Sequence, residues 1–284
     1  MKFYNPTASI FIPDGKTAEE AFKRTTHLGI GAHQDDLEIM AFPGIRQCYQ
    51  DPDQWFGGVI CTDGSGSNRT EKYTSYSDEE MTRIRKEEQQ KAASLGKYSF
   101  VIQLDYPSAF VKTPHQQQLE EELLTLLAAV KPPVVYTHNP VDKHETHIGT
   151  VIAVIRAIRR LPLEERPGTI YGCEVWRDLD WMMDDDKIVL NVNDKENLWE
   201  KLIRIFHTQV KGGKRFDLAA LGRRHAHATF FQPYETDEAC QLMFAMDLSP
   251  LAADDSLDIM DYVMGHIQRF QQDVETKLKR HLGR

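Results

Sequence analysis

The chain has 284 residues, of which 41% are hydrophobic, and its formal net charge is −9 at pH 7. This length and apolar content suffice for one large α/β domain or two smaller ones with a substantial core. The acidic charge disfavours a nucleic-acid partner, no apolar run is long enough to span a membrane, and a neutral or cationic small-molecule substrate fits best.

Two further features concern the cellular compartment. The segment Met1–Pro6 is polar and interrupted by proline, unlike a secretory signal. Cys48, Cys61, Cys173 and Cys240 lie far apart, which argues against a disulfide scaffold and against a cysteine zinc knuckle. We therefore expect a cytoplasmic protein whose four thiols are reduced and buried.

Predicted strands and helices alternate along the first part of the chain. Apolar runs predict strands at residues 28–32, 57–62, 100–104, 134–137 and 169–175. Helical patterns predict helices at residues 17–25, 37–49, 78–95, 116–130 and 144–160. This alternation predicts an α/β fold with a Rossmann-like, doubly wound and mostly parallel sheet, whose ligands bind beyond the carboxyl ends of its strands.

The pattern is less regular beyond Trp176. Strands are predicted at residues 187–192 and 241–247, and helices at residues 195–210, 216–226 and 257–282. We predict a single domain over residues 1–284, in which a parallel-sheet core at 1–176 carries the chemistry and a smaller mixed C-terminal subregion at 177–284 shapes a cleft. The last helix fits either a homo-oligomer or packing back on the core.

Polar side chains cluster directly after the first and the fourth of the predicted strands. His33, Asp35 and Asp36 follow the first strand, and His144 and His147 follow the fourth. Adjacent carboxylates repel each other and are costly to desolvate, so a bound cation is expected beside them. Because parallel strands end at the same edge of a sheet, the two clusters predict one shared metal site.

The residue types in these clusters suit a catalytic metal ion. Catalytic zinc commonly has three ligands drawn from histidine and carboxylate, with water in the fourth position. His33 and Asp36 can converge across the turn, and either His144 or His147 can supply the third ligand. Asp35 is then a spare carboxylate that can accept a proton, and the remaining imidazole can stabilise an oxyanion, as amide and ester hydrolysis require.

Other interpretations exist for each cluster taken alone. The acidic pair also suits a helix N-cap with a first-turn acid, and the two later histidines also suit an exposed helix face. The segment Gly29–Gln34 follows a strand as a dinucleotide-binding loop does, but Gln34 stands in place of the third glycine, and the acids after it would repel a pyrophosphate. The occurrence of both clusters at strand ends favours the metal site.

Three segments resemble one known family. The motif Gly31–Glu38 resembles the Ala-His-Pro-Asp-Asp-Glu signature of the PIG-L/LmbE-like zinc-dependent N-deacetylases. The segment His138–His147 is similar to the family's His-Pro, Asp, His-x-x-His segment, and Ile84–Gly96 is similar to its intervening helix. Phe206–Gln209 and Phe216–Ala228 also resemble its C-terminal region, with lower specificity.

The resemblance implies specific roles. It implies three ligands for zinc or another divalent cation: His33, Asp36 and His147. It also implies that Asp35 is the general base, that His144 is the charged partner of the oxyanion, and that Arg85 faces the substrate. The implied reaction is removal of an N-acetyl group from an amino sugar or sugar conjugate, such as an N-acetylglucosamine derivative.

The chain departs from the family pattern at two positions. Gln34 replaces the usual proline, which should matter little because that side chain is not a ligand. Thr146 stands where the family often has an aspartate that orients and charges His144. Asp142 or Glu145 can take over that task, and the sequence does not decide between them.

The favoured hypothesis is therefore a zinc-dependent N-deacetylase. The alternatives are a metal-dependent hydrolase of another small-molecule amide or ester, and a non-catalytic, metal-stabilised binding module. Five residues after the fifth strand could line a sugar cleft or simply pack in a loop: Trp176, Arg177, Asp178, Asp180 and Trp181. The Gly/Ser-rich loop at 63–74 fits either a lid over the substrate or an ordinary surface loop.

Overall fold

A computed structural model describes residues 2–114, 116–194, 197–211 and 214–284. Its strands are β1 (Ser9–Phe11), β2 (His27–Gly31), β3 (Phe56–Thr62), β4 (Phe100–Tyr106), β5 (Val134–His138), β6 (Thr169–Cys173), β7 (Lys187–Asn191) and β8 (Leu242–Asp247). Its helices are α1 (Ala18–Arg24), α2 (Asp36–Met40), α3 (Phe42–Gln50), α4 (Asp78–Leu95), α5 (Ser108–Val111), α6 (Gln117–Val130), α7 (Glu145–Arg159), α8 (Leu198–Ile203), α9 (His207–Val210), α10 (Phe216–Phe230), α11 (Ser249–Ala253) and α12 (Ile259–Leu282).

All eight of these strands form one mixed sheet in the order β1-β4-β3-β2-β5-β6-β8-β7. The five central strands, β4, β3, β2, β5 and β6, pair in parallel with one another. β1 pairs antiparallel with β4, β8 pairs antiparallel with β6, and β7 pairs antiparallel with β8. The predicted α/β class is confirmed, and the whole sheet is mixed because antiparallel strands flank its parallel centre.

Hydrophobic clusters cover both faces of the sheet. Along β3, Val59 and Cys61 join one cluster, whereas Ile60 joins the other, because successive side chains of a strand point to opposite faces. The first cluster contains side chains of α1, α6, α7 and α11, and the second contains side chains of α2, α3, α4 and α8. This two-sided burial leaves the carboxyl ends of the parallel strands as the place where a cleft can open.

Most predicted elements are present with small shifts of their ends, but two predicted helices are divided. The helix predicted at 37–49 is divided at Ala41 into α2 and α3, because Pro43 in the first turn of α3 has no N–H to continue the earlier helix. The helix predicted at 195–210 is divided into α8 and α9, and residues 195 and 196 lie outside the described residues. The short elements β1, α5 and α11 were not predicted.

The glycines of β2 allow α2 to pack closely against the sheet. A Cβ atom on Gly29 would lie 2.7 Å from Cζ of Phe56 and 2.9 Å from Cδ2 of Leu37. A Cβ atom on Gly31 would lie 3.1 Å from Cβ of Asp36. The glycine spacing that resembled a dinucleotide-binding loop therefore serves helix-to-strand packing.

Two expectations about the whole chain can be compared with the structure. Among the described helices, none has the combined length and apolar character needed to cross a membrane. Cys61 and Cys173 are buried and unpaired, as expected. The expectation of buried thiols is wrong for Cys240, which is exposed, and Cys48 is only partly buried.

Candidate metal centre and its cleft

β2 leads into a tight turn before α2. The backbone N–H of His33 donates a hydrogen bond to Oδ2 of Asp36 at 2.6 Å, and the backbone N–H of Asp36 donates to the carbonyl of His33 at 3.2 Å. Between them, Asp35 lies in the left-handed region with φ of 89°. Such a backbone costs a residue other than glycine about 1–3 kcal/mol, so the reciprocal bonds and the surrounding contacts must hold it in place.

Three potential ligand atoms meet at this turn. Oδ2 of Asp36 lies 3.2 Å from Nδ1 of His33 and 3.4 Å from Nε2 of His147, and those two nitrogens are 3.2 Å apart. Two ligand atoms that bind one tetrahedral zinc ion at about 2.0 Å are about 3.3 Å apart. The donor set, two imidazoles and one carboxylate, and its spacing therefore fit a divalent metal ion.

His147 is held in a state suited to metal binding. Its side chain is fully buried, and burial lowers its pKa to about 3, which keeps the imidazole neutral. Nδ1 of His147 lies 3.2 Å from Oδ2 of Asp142, so Nε2 faces the other two ligand atoms. Asp142 also accepts the backbone N–H groups of His144 and Trp176, each at 3.2 Å. This carboxylate therefore orients a ligand, as is common around metal ions.

His138, the last residue of β5, is a site residue to which we assigned no role from the sequence. Its buried Nε2 lies 3.3 Å from Oδ2 of Asp36, and together with His147 it forms a second group of ligand-type atoms. The backbone N–H of Ala32, however, donates to the same Nε2 at 2.9 Å and occupies the lone pair that an ion would need. His138 therefore holds the backbone at the end of β2 rather than an ion, and its place in the motif segment at 138–147 was the one available signal.

Asp35 lies beside an arginine and inside a buried hydrogen-bond network. Burial raises the pKa of Asp35 well above its usual value, the positive charge of Arg85 opposes this shift, and Asp36 adds to it. Nη2 of Arg85 lies 3.4 Å from Oδ1 of Asp35 and also donates to the carbonyl of Gln34. The backbone N–H of Asp35 donates to Oε1 of Gln89 at 3.2 Å. Arg85 and Gln89 come from the same buried face of α4.

The same network continues to Glu38. Nε2 of Gln89 and the hydroxyl of Tyr98 donate to Oε1 of Glu38 at 2.9 and 2.7 Å. Burial raises the pKa of Glu38 to about 7.

Gln34, in place of the family's proline, donates from Nε2 to the carbonyl of Thr62 at 3.2 Å, which connects the turn to the end of β3.

His144 faces the same centre from the N-cap position, directly before α7. It belongs to a ligand-type group with His33 and His147, and its ring centroid is 4.9 Å from that of His33. Burial and the neighbouring His33 lower the pKa of His144, which favours a neutral ring in the ion-free protein. Nδ1 of His144 and Oγ1 of Thr146 are buried and have no hydrogen-bond partner among the described residues. Asp142 contacts the backbone of His144 rather than its ring, and Glu145 is exposed.

Comparison with known proteins agrees with this geometry. A family model described as PIG-L, GlcNAc-PI de-N-acetylase, matches residues 28–158, which include the whole metal centre. Residues 28–158 belong to the PIG-L family. A comparison with curated protein sequences finds no match.

Solved structures share the fold at low sequence identity. N,N'-diacetylchitobiose deacetylase from Pyrococcus horikoshii is 16% identical, covers 88% of this chain and 93% of its own, and has a TM-score of 0.64. The 4-carboxy-2-hydroxymuconate hydratase from Pseudomonas putida is 16% identical, covers 79% and 96%, and has a TM-score of 0.60. The zinc-inhibited form of a teicoplanin deacetylase is 15% identical, covers 78% and 97%, and has a TM-score of 0.52.

A cavity of about 490 Å³ opens over the metal centre. Its lining includes four residues around the metal centre, His33, Asp35, Asp36 and His144, together with Gly64, Ser67, Arg85, Ser108, Lys112, Trp176, Lys214, Phe216 and Arg223. Of the five residues that we considered for a sugar cleft, Trp176 lines this cavity, whereas Trp181 packs against Phe270. Arg85 lines the cavity as well, and its Nη1 donates to Oγ of Ser67 in the loop.

Two residues beyond the matched segment, Trp199 and Arg224, hydrogen-bond to the end of α2. Nε1 of Trp199 donates to the carbonyl of Glu38 at 2.9 Å, and Nη2 of the buried Arg224 donates to that of Ile39 at 3.0 Å. The Arg224 guanidinium lies 4.4 Å from the ring centroid of Trp199. These donors satisfy carbonyls at the end of the helix that carries Asp36.

Proposed function

We propose that this protein is a metal-dependent hydrolase that removes an N-acetyl group from an amino sugar or sugar conjugate. The observation that supports it most strongly is the triangle of ligand atoms from His33, Asp36 and His147, beside the spare carboxylate of Asp35 and open to a cavity. Zinc is the ion we propose, because two imidazoles and one carboxylate form a common catalytic zinc set. The PIG-L family match supports the choice of reaction.

Each residue has a distinct task in this proposal. A divalent ion at the centre supplies Lewis acidity, which activates water and polarises a carbonyl oxygen. The carboxylate of Asp35 accepts the proton of the attacking water and later returns a proton to the leaving amine. His144 donates a hydrogen bond to the oxygen of the acetamide carbonyl as negative charge develops there. Water and the amide thereby become acetate and a free amine.

Arg85 supports Asp35 in this scheme and also lines the cavity. Its positive charge favours the carboxylate form of Asp35, which a general base requires. Trp176 also lines the cavity and offers an indole face to a sugar ring. The loop at 63–74 lines the cavity through Gly64 and Ser67, and it fits either a lid over the substrate or an ordinary surface loop.

The alternatives differ from this proposal in measurable ways. The same centre suits hydrolysis of another small-molecule amide or ester, and the likeness to a hydratase shows that the fold alone does not decide the reaction. A purely structural ion would have four protein ligands, whereas here His33, Asp36 and His144 line an open cavity.

The test is a substrate screen with defined metal content. The protein, stripped of metal and then reloaded with zinc, is assayed for release of acetate and free amine from N-acetylglucosamine derivatives, non-sugar amides and esters. We expect turnover of amino-sugar amides by the loaded protein and none after chelation. Turnover of esters or simple amides alone would reassign the substrate class.

Asp35→Asn provides the companion test. The amide cannot accept a proton from water, so we expect turnover to fall by at least about a thousandfold while zinc content stays the same. Asp185→Asn, at an exposed acid outside the cavity, is the control. Full activity of Asp35→Asn at matched zinc content would refute the assigned base.

A further inference from the structure

The last helix, α12, carries an apolar stripe that the fold leaves exposed. Its exposed large hydrophobic side chains are Met260, Met264, Phe270, Val274, Leu278 and Leu282. At about 100° per residue these positions fall within about 120° of the helix circumference, so they form one stripe along a helix about 36 Å long. Met260, Leu278 and Leu282 are 72%, 55% and 63% exposed, so the stripe is uncovered at both of its ends.

The first half of α12 anchors the helix to the rest of the fold. The hydroxyl of Tyr262 donates to the carbonyl of Asp247 at 2.6 Å, and Arg269 forms an ion pair with Asp186 at 2.6 Å. Every side-chain hydrogen bond and ion pair that the structure describes for residues 271–284 is made within the helix itself. A helical segment of about 12 residues is only marginally stable alone in water, so the second half would gain from a partner that covers its stripe.

Opposite charges are separated between the two ends of α12. Residues 254–261, at its start, contain no base and four acids: Asp254, Asp255, which also pairs with Arg166, Asp258 and Asp261. Residues 277–284, at its end, contain no acid and four bases: Lys277, Lys279, Arg280 and Arg284. Two such helices side by side in the same direction would bring like charges together, whereas an antiparallel pair brings each acidic start beside a basic end and opposes the two helix dipoles. The charge pattern is therefore complementary to a second copy of itself in the antiparallel direction.

The apolar stripe fits the same direction. In an antiparallel pair whose two-fold axis passes near Gln271, Met260 of one copy lies beside Leu282 of the other. Met264 then lies beside Leu278, because the members of each pair are equally far from Gln271 on its two sides. One register therefore matches both the apolar side chains and the charged ends.

We propose that α12 is a dimerisation helix whose apolar stripe binds the same stripe of a second copy, antiparallel, across a two-fold axis near Gln271. Each copy offers the same surface, so the contact closes on itself as a dimer. An anionic membrane surface fits less well, because it would attract the basic end but repel Asp258, Asp261 and a chain of net charge −9. No residue of α12 lines the cavity over the metal centre, so this inference does not depend on the proposed function.

Sedimentation equilibrium of the intact chain tests the dimer. With rising concentration, over about 1–100 μM, we expect the mass to increase from the 32.7 kDa of one chain to twice that value. Leu278→Glu puts a carboxylate into the stripe twice per dimer, so the dissociation constant should rise at least about a hundredfold. Gln272→Glu introduces the same charge on the side of α12 away from the stripe and should leave the dissociation constant unchanged. Both positions are exposed, and circular dichroism verifies that each variant is folded.

Charge reversal tests the direction of the pair. In the antiparallel register, Asp261 of one copy lies beside the last turns of the other, which hold Lys279. Lys279→Glu brings two acids together and Asp261→Lys two bases, so each should raise the dissociation constant about three- to tenfold, because each change acts twice per dimer. The double variant exchanges the two charges and should return the dissociation constant to that of the wild type. Absence of this recovery would overturn the antiparallel arrangement.

The remaining outcomes decide whether α12 is the interface. A mass of one chain at every concentration would overturn the proposal, and a dimer that Leu278→Glu leaves intact would place the interface elsewhere. Flotation with phosphatidylcholine vesicles that contain phosphatidylserine tests the membrane alternative. Vesicle binding that Leu278→Glu abolishes, by a protein that stays monomeric, would assign the stripe to a membrane surface instead.

Discussion

The two sides of the cavity are built differently. The inner wall is formed by the turn at 33–36 and the segment at 138–147, and its ligand-holding side chains are buried: those of Asp142 and His147 are fully inaccessible, and that of Asp36 is 4% exposed. The outer wall, formed by Trp176 and residues 214–223, is half-buried or exposed. The family match includes the inner wall and ends before the outer one.

This difference indicates where the molecule tolerates change. Each carboxylate of the inner wall has several partners at once, so removing one partner leaves buried polar groups unsatisfied. The outer wall depends on a few contacts, such as those of Arg223 with two backbone carbonyls. We therefore expect inner-wall substitutions to change metal binding, stability or kcat, and outer-wall substitutions to change KM.

Among the substitutions that compare the two walls, the largest effect should follow Asp142→Asn. Asp142 accepts a hydrogen bond from Nδ1 of His147, and loss of its charge weakens the orientation and basicity of that ligand. We expect zinc affinity to fall about 10–100-fold, measured by competition with a chromogenic chelator. Asp185→Asn is the exposed control, and unchanged affinity in folded Asp142→Asn protein would contradict the ligand assignment.

A matched pair of glycine substitutions compares the packing of β2, the strand that leads into the inner wall, with that of the outer wall. Gly29→Ala places a methyl group 2.7 Å from Phe56, so we expect the free energy of unfolding to fall by about 1–3 kcal/mol. Gly222→Ala on α10 meets no atom within 4 Å and should raise it by up to about 1 kcal/mol through helix propensity. Urea unfolding measures both, and equal values would show that the walls are packed alike.

A smaller effect should follow Gln89→Met. The substitution removes the acceptor for the backbone N–H of Asp35 while keeping the side-chain length. Because Asp35 is then less well held in its left-handed conformation, we expect kcat to fall about tenfold with KM nearly unchanged. Gln90→Met, on the neighbouring position of α4, is the control. A change in KM alone would show that Gln89 does not hold Asp35 in the conformation that the base requires.

The smallest effect should follow Trp176→Ala. Loss of the indole face should raise KM for the sugar about three- to tenfold and leave kcat nearly unchanged. Trp176→Phe retains an aromatic face and should restore most of the affinity. If kcat falls in Trp176→Ala while KM stays constant, Trp176 contributes to the inner wall through His144 rather than to sugar binding.

Local chemistry explains why much of this could be predicted from the sequence. The capping boxes that begin α1 and α4 involve residues three apart, Thr17 with Glu20 and Ser77 with Glu80, and both are present. The turn at 33–36 and His147 could be predicted to lie close together, because parallel strands end at the same edge of a sheet. In both cases, short-range spacing or strand direction was sufficient.

The sequence by itself therefore determined the α/β class, the strand ends at which chemistry is placed, and the motif of imidazoles and carboxylates around His33. Only the tertiary structure decided which groups support them. Tyr98 reaches Glu38 across 60 residues, and Trp199 reaches it across 161. No periodicity or spacing in the sequence relates these partners, because they come from elements that are far apart along the chain and meet only when the elements pack together. The same holds for Lys112 and Arg223, which line one cavity although one follows α5 and the other lies on α10.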